Sequence, residues 1–187
     1  MMDNQYIENL QRHYESYFNA KGNKLKWKID PKKKIDDFFY VLEFPPNQKH
    51  NMWTYCSVGM SPGIDTDVRT EVFIYSPKKD FTIVELLTVV ASYHKNNLPF
   101  DLHHTFNIGR PWLDNSQCDH CFISLPYLDG EELELFVFDE ATTHCYWLIP
   151  ITKSEAEYKE ENGCDALEDL FEEKAIDYLD PDRKPLF

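Results

Sequence analysis

The sequence predicts an α+β protein, and two patterns carry that prediction. Short runs of β-branched and aromatic residues, such as residues 71–75, lie between Gly and Pro turn signals, which is typical of strands. Longer segments, most clearly residues 81–95, repeat apolar residues at helical spacing. A chain of 187 residues fits one domain with a full core, so we expect a single domain over residues 1–187.

Both kinds of element can be placed along the chain from these patterns. The predicted strands cover residues 38–44, a segment from Trp53 to a sharp turn at Gly59, and residues 68–75, 103–108, 120–125, 133–138 and 144–149. The predicted helices cover residues 3–19, 81–95, the segment between Thr152 and Asn162, and residues 165–174. We expect the lysine-rich residues 21–34 to form a loop or exposed edge, and residues 176–187 to be a loose acidic tail.

Two helix starts carry the capping-box pattern, in which a Thr side chain and a Glu three residues later satisfy each other's backbone N–H groups. Thr82-x-x-Glu85 stands at the start of the second helix, and Thr152-x-x-Glu155 at the start of the third. The second helix is apolar on most sides, which predicts a buried element that packs across the sheet.

The composition excludes several classes of function. The formal net charge is −14 with a pI near 4.8, so nucleic acid and anionic membranes are poor partners for most of the surface. No apolar run reaches the length of a membrane span, and no secretory leader is visible. Five cysteines without a regular spacing favour reduced thiols, so we expect a cytoplasmic protein. The acidic run 155–182 is either solvated surface or a face that attracts a basic protein.

Motifs for two common chemistries are missing. The six glycines form neither a G-x-G-x-x-G nor a G-x-x-x-x-G-K pattern, which argues against a nucleotide-binding loop. Ser57-Val-Gly-Met-Ser61 is not the G-x-S-x-G elbow of serine hydrolases.

A possible zinc site is the one metal motif of the sequence. Cys118-Asp-His120-Cys121 supplies two thiolates and an imidazole, and histidines on neighbouring predicted strands could complete four ligands. A second C-x-x-C at finger spacing is missing, however, and buried cysteines also pack as small apolar residues. Zinc therefore stays an alternative.

Acidic and aromatic residues are the other candidates. Glu71, Glu85, Glu131 and Glu132 look like ordinary solvated carboxylates. Trp112 follows Pro111 in a predicted loop, so we expect it to be exposed and to serve as a partner anchor.

A series of motifs resembles the N-terminal domain of the suppressor of fused family. They follow the family's order over residues 50–175. The first is Trp53-x-Tyr55-x-Ser57-x-Gly59-Met60-Ser61 with Glu71-Val-Phe73 after a loop. It is followed by the helix ending in Ala91-x-Tyr93, by Leu113-Asp-Asn-Ser with His120 and Leu125-x-x-Leu, and by Ile149-Pro-Ile-Thr152-x-x-Glu155 with Gly163 and Leu167-x-x-Leu170.

This resemblance implies a mixed, mostly antiparallel sheet flanked by helices over a core of about residues 35–175, without catalytic residues or a cofactor. The animal member holds a transcription factor through a peptide clasped between two domains, and this chain resembles only the first of them. Small bacterial relatives resemble immunity proteins, which neutralise a toxin encoded beside them. Glu85 resembles part of the animal protein's peptide-binding face.

The resulting hypothesis is a cytoplasmic, monomeric, non-enzymatic immunity protein that binds a basic toxin domain. The alternatives are a zinc-binding protein that uses Cys118, His120 and Cys121, and an adaptor that binds a peptide along an exposed sheet edge. The predicted partner-binding residues are Asp65, Asp67, Glu85, Trp112, Glu131 and Glu132.

Overall fold

A computed structural model of the chain describes residues 2–28, 34–64 and 68–187. The helices in these ranges are α1 (Met2–Phe18), α2 (Thr82–Asn96), α3 (Glu131–Glu134), α4 (Lys153–Asn162) and α5 (Cys164–Lys174). The strands are β1 (Asn23–Leu25), β2 (Tyr40–Phe44), β3 (Trp53–Val58), β4 (Arg69–Ser76), β5 (Thr105–Asn107), β6 (His120–Ser124), β7 (Leu135–Phe138) and β8 (Ala141–Ile151). None of the helices in the described ranges is long and apolar enough to span a bilayer.

The strands form a mixed sheet in the order β1-β2-β3-β4-β8-β6-β5, and β7 pairs with β8. The pairs β1–β2, β2–β3, β3–β4, β5–β6 and β7–β8 are antiparallel, whereas β4 runs parallel to β8. The prediction of an α+β fold with a mixed, mostly antiparallel sheet is therefore confirmed. The chain also divides into two compact units, residues 1–101 with 125–147 and residues 102–124 with 148–187.

The first unit contains α1, α2, α3, β1–β4, β7 and the first part of β8. Leu10, Tyr14 and Phe18 on one face of α1 are completely buried, as the helical spacing predicts. Helix α2 packs against β2 and β3. At the end of β3 the chain turns at Gly59, whose φ of 97° favours glycine and whose added Cβ would lie 2.7 Å from Ile7 Cδ1.

The predicted capping box at the start of α2 is wrong. Phe81 is the N-cap residue, and it makes no side-chain cap hydrogen bond. The Asp80 carboxylate instead accepts hydrogen bonds from the Thr82 backbone N–H at 2.9 Å and from its hydroxyl at 2.6 Å. Asp is a good acceptor for the free N–H groups of a helix start, so it performs this role from just outside the helix.

The second unit contains β5, β6, α4, α5 and the end of β8. The predicted capping box of Thr152 and Glu155 is confirmed at the start of α4. The prediction of a loose tail is wrong, because the tail carries Arg183, which is buried and bonds both oxygens of Glu155 at 2.7 and 2.6 Å. The Phe187 ring also stacks on Tyr158 at 4.6 Å between centroids.

Candidate partner-binding surface

A buried carboxylate anchors the loop between β6 and α3. The Asp129 side chain is 0% exposed and accepts hydrogen bonds from the hydroxyls of Tyr17 at 2.8 Å and Tyr75 at 2.6 Å. His50 Nε2 lies 2.6 Å from the same carboxylate. Burial raises the pKa of both tyrosines, and the charge of Asp129 raises it further, so both phenols stay protonated donors. Three side chains, from α1, from β4 and from the loop between β2 and β3, thus hold one loop residue in place.

The backbone of the same loop is tightly folded. The N–H groups of Asp129 and Gly130 both donate to the carbonyl of Pro126, at 2.9 and 2.8 Å. Gly130 has a φ of 75°, and α3 starts directly after it. We call residues 125–132 the acidic turn.

The acidic turn presents two apolar side chains beside two carboxylates. Tyr127 is 61% exposed and Leu128 is 46% exposed. Glu131 and Glu132, two of the predicted partner-binding residues, follow at the start of α3, and both are exposed. A fixed turn with an exposed tyrosine and a charged rim has the composition of a protein-binding anchor.

Glu85, another of the predicted partner-binding residues, lies in the first turn of α2 and is half-buried. Asp65 and Asp67 lie outside the described residues. Of the predicted residues that the structure describes, the acidic turn contains Glu131 and Glu132.

The prediction that Trp112 is an exposed anchor is wrong. Its side chain is 1% exposed, and its backbone N–H donates to the carbonyl of Cys118 at 3.0 Å. A loop position does not make a tryptophan exposed, because the large apolar area of the ring favours burial wherever the loop folds over it.

Glu71 is also not the solvated carboxylate that the sequence suggested. It is 0% exposed on β4, and the turn after β3 wraps around it. Its donors are the hydroxyls of Ser57 at 2.6 Å and Tyr6 at 3.1 Å, and the backbone N–H groups of Gly59 at 3.2 Å, Met60 at 2.9 Å and Ser61 at 3.4 Å.

The Glu71 cluster explains why small and polar residues crowd between Ser57 and Ser61. Burial raises the pKa of Glu71 to about 7, and the hydrogen bonds from Ser57 and Met60 oppose that rise. The Ser61 hydroxyl also bonds the turn to β4, because it donates to the Thr70 carbonyl at 2.6 Å and accepts from the Thr70 N–H at 2.7 Å. The cluster is a structural support for the turn.

The geometry contradicts the zinc alternative. Cys118 and Cys121 are buried, and burial raises the pKa of both thiols. His120 precedes Cys121 on β6, so their side chains point to opposite faces of the sheet, and His120 Nδ1 lies 2.6 Å from Asp119. Within residues 2–28, 34–64 and 68–187, no three His, Cys, Asp or Glu side chains are placed to hold one metal ion.

Comparison with known proteins finds similarity to a suppressor of fused homologue and to an immunity protein. The chain is 31% identical to a protein of Neisseria gonorrhoeae whose crystal structure is described as that of a suppressor of fused homologue, with a TM-score of 0.84 over 97% of this chain and 96% of that one. It is also 35% identical over 65 residues to Immunity protein YqcF of Bacillus subtilis. That match spans 35% of this chain and only about a third, 34%, of YqcF.

A more distant similarity concerns the fold alone. The structure of the Sufu–Fu complex aligns with 89% of this chain and 83% of that one, with a TM-score of 0.68 at 10% identity. The model of the suppressor of fused protein (SUFU) family matches residues 36–184. With that match over most of its length, the chain belongs to the suppressor of fused family.

Proposed function

We propose that this chain is a cytoplasmic, non-enzymatic immunity protein that binds a cognate toxin directly and blocks it. The suppressor of fused fold and the similarity to Immunity protein YqcF support this role. The mechanism is occlusion: the protein covers a surface that the toxin needs, and no bond of either protein changes.

The observation that carries the proposal is the anchored acidic turn. Tyr127 and Leu128 are held out to solvent by a loop that Asp129 fixes from below. An anchor that is already ordered loses little conformational entropy when a partner covers it. Exposed aromatic side chains on a fixed base are therefore efficient contributors to affinity.

The charge around this anchor indicates the partner's chemistry. Glu131 and Glu132 stand beside the apolar pair on a protein whose net charge is −14. Such a surface attracts a basic protein, and it affects the association rate more than the final affinity. We therefore propose a toxin domain with a basic surface around an apolar depression, bound by a monomer of this chain.

Co-expression with the toxin encoded beside the gene tests this function. We expect cells to survive, and the two proteins to copurify as one complex on gel filtration. Double substitution of Tyr127→Ala and Leu128→Ala should weaken the complex by about 2 kcal/mol or more, which is the range of interface hot spots.

A matched control separates the turn from general loss of apolar surface. Leu98 is 62% exposed and follows the C-cap residue of α2, so Leu98→Ala should leave the affinity unchanged. If the toxin stays active and no complex forms with the unaltered chain, the proposed function is wrong. If the complex forms but the double substitution has no effect, the function stands and the acidic turn is not its site.

A further inference from the structure

A buried carboxylate on β2 lies under the flexible side chain of Lys79. The Glu43 side chain is 2% exposed, and Lys79 Nζ lies 3.4 Å from its Oε1. The same ammonium lies over the Trp53 ring, 5.5 Å from the ring centroid. The Lys79 side chain is itself 61% exposed. One exposed lysine thus covers a site with a carboxylate at its floor and an aromatic wall.

The sheet register builds this site from rigid elements. Glu43 pairs with Tyr55 across β2 and β3, and Trp53 is two residues from Tyr55, so the three side chains share one face of the sheet. Burial raises the pKa of Tyr55, and the Glu43 carboxylate raises it further through its charge and a hydrogen bond with the Tyr55 hydroxyl, so this hydroxyl stays neutral. That hydroxyl accepts the backbone N–H of Asp80 at 2.9 Å, which fixes the loop that carries Lys79.

Lysine is a poor match for a site formed by the Glu43 carboxylate and the Trp53 ring. Charge-assisted N–H···O bonds are normally about 2.7–2.9 Å long, and the Lys79 ammonium is farther than that from Glu43. A guanidinium is planar, so it can stack on an indole ring and bind a carboxylate through two parallel hydrogen bonds. The geometry therefore suits an arginine better than the residue that occupies it.

We propose that Glu43 and Trp53 form a receptor for an arginine side chain of a protein partner, and that Lys79 occupies it until the partner displaces it. The inference rests on the proposed function only for the source of the arginine.

The receptor can be tested without any toxin by titrating Nα-acetyl-arginine amide into the whole protein. The readout is the indole N–H signal of Trp53 in an NMR spectrum, assigned with Trp53→Phe. We expect saturable shifts of that signal, and weaker binding of Nα-acetyl-lysine amide by about threefold or more, since lysine lacks the planar fork.

The sharpest variant is Lys79→Ala. A ligand's apparent affinity is reduced by the fraction of sites that are already occupied, so removal of Lys79 should tighten binding of the arginine amide by about fivefold or more. Lys153→Ala removes a lysine that is 73% exposed and pairs with Glu157 on α4, so it should leave the affinity unchanged. Glu43→Gln should abolish binding.

Several outcomes would overturn the inference. Unchanged or weaker binding by Lys79→Ala contradicts it, as does unchanged binding by Glu43→Gln or equal affinity for the lysine amide. Since Lys79 is exposed, Lys79→Ala should fold normally, and it keeps the test decisive even if Glu43→Gln does not fold. A toxin that is not neutralised would disprove the proposed function but would leave these titrations as they are.

Discussion

Two buried glutamates, one in each compact unit, are stabilised in opposite ways. Both Glu71 and Glu155 are 0% exposed. Glu155 is neutralised by the Arg183 guanidinium, which bonds both of its oxygens, while its Oε2 also accepts the Thr152 N–H at 2.9 Å. Among the described residues, Glu71 has no salt-bridge partner and is held only by hydroxyl and backbone N–H donors.

The difference shows what each carboxylate contributes. A buried ion pair is costly when one partner is lost, because the remaining charge has no compensation. A carboxylate held by dipoles keeps several partners if one is lost. No cation neutralises its charge, however, and so the stability of the fold depends on its protonation. Glu155 closes the chain end onto α4, whereas Glu71 shapes the turn after β3. The predictions below test this contrast in order of expected effect.

Arg183→Met should produce the largest loss of stability. It leaves Glu155 buried without a cation, which costs about 3–5 kcal/mol in comparable buried pairs. Urea unfolding should show this as a lower transition midpoint, with the tail next to Tyr158 becoming susceptible to protease. Lys174 is half-exposed and, within the part of the chain that the structure describes, pairs only with exposed Glu173. Lys174→Met is therefore a suitable control and should change the free energy of unfolding by less than about 0.5 kcal/mol. A loss below about 1 kcal/mol for Arg183→Met would show that other groups compensate the charge of Glu155 when Arg183 is absent.

Glu71 should make the stability of the fold depend on pH. The pKa of Glu71 is about 7 in the folded state, above the ordinary value of 4.5 expected for the unfolded chain. Its protonated form therefore stabilises the fold fully below the unfolded pKa, and that contribution is lost as the pH rises through 7. Between about pH 5.5 and pH 8 this amounts to about 2 kcal/mol.

Unfolding titrations of the unaltered chain and of Glu71→Gln check this expectation. The amide has no proton to lose, so the difference in unfolding free energy between the two proteins should change by about 2 kcal/mol over that interval. A difference that stays constant with pH would show that Glu71 does not titrate there. Reading the difference between variants removes the contribution of the other titrating groups.

Ser57→Ala should have a smaller effect than either change above. It removes the 2.6 Å hydrogen bond to Glu71 and the acceptor of the Val72 N–H at 2.9 Å, but four other donors to Glu71 stay in place. We expect a loss of about 1.5 kcal/mol, measured by urea unfolding. Ser16→Ala, on the exposed side of α1, should cost less than about 0.5 kcal/mol. Equal losses for the two variants would mean that the Ser57 bond is not part of the support.

Local patterns predicted the elements well, while contacts between distant residues were not predictable. Strands β2 to β6 and β8, α2 and the Thr152 capping box follow from spacings of a few residues, so the sequence shows them directly. Strand β1 lies in the segment expected to be a loop or exposed edge, and α3 replaces the start of the predicted strand 133–138. The Glu155–Arg183 pair joins residues 28 positions apart, and nothing local distinguishes Arg183 from other charged residues of an acidic tail. The expected loose tail was therefore wrong.

The candidate site shows the same limit. Glu131 and Glu132 could be proposed from charge, but the partners of Asp129 come from Tyr17, His50 and Tyr75, which are far apart in the chain. The burial of Glu71 had one available signal, the crowding of Ser57, Gly59 and Ser61 before it. Small and polar residues around a sharp turn indicate a buried acceptor only once the strand pairing is known.

Thr152→Ala should have the smallest effect, and it tests whether the ion pair dominates around Glu155. The substitution removes the hydroxyl that accepts the Glu155 N–H at 3.3 Å, which is half of the capping box. The other half persists, because the Thr152 backbone still donates to the Glu155 carboxylate, and Arg183 still neutralises it. We expect a loss of about 1 kcal/mol in urea unfolding, and Thr152→Ser should restore most of it. A loss as large as that of Arg183→Met would mean that the cap, and not the ion pair, holds Glu155 in place. Glu71 and Glu155 would then both be stabilised mainly by hydrogen-bonding dipoles.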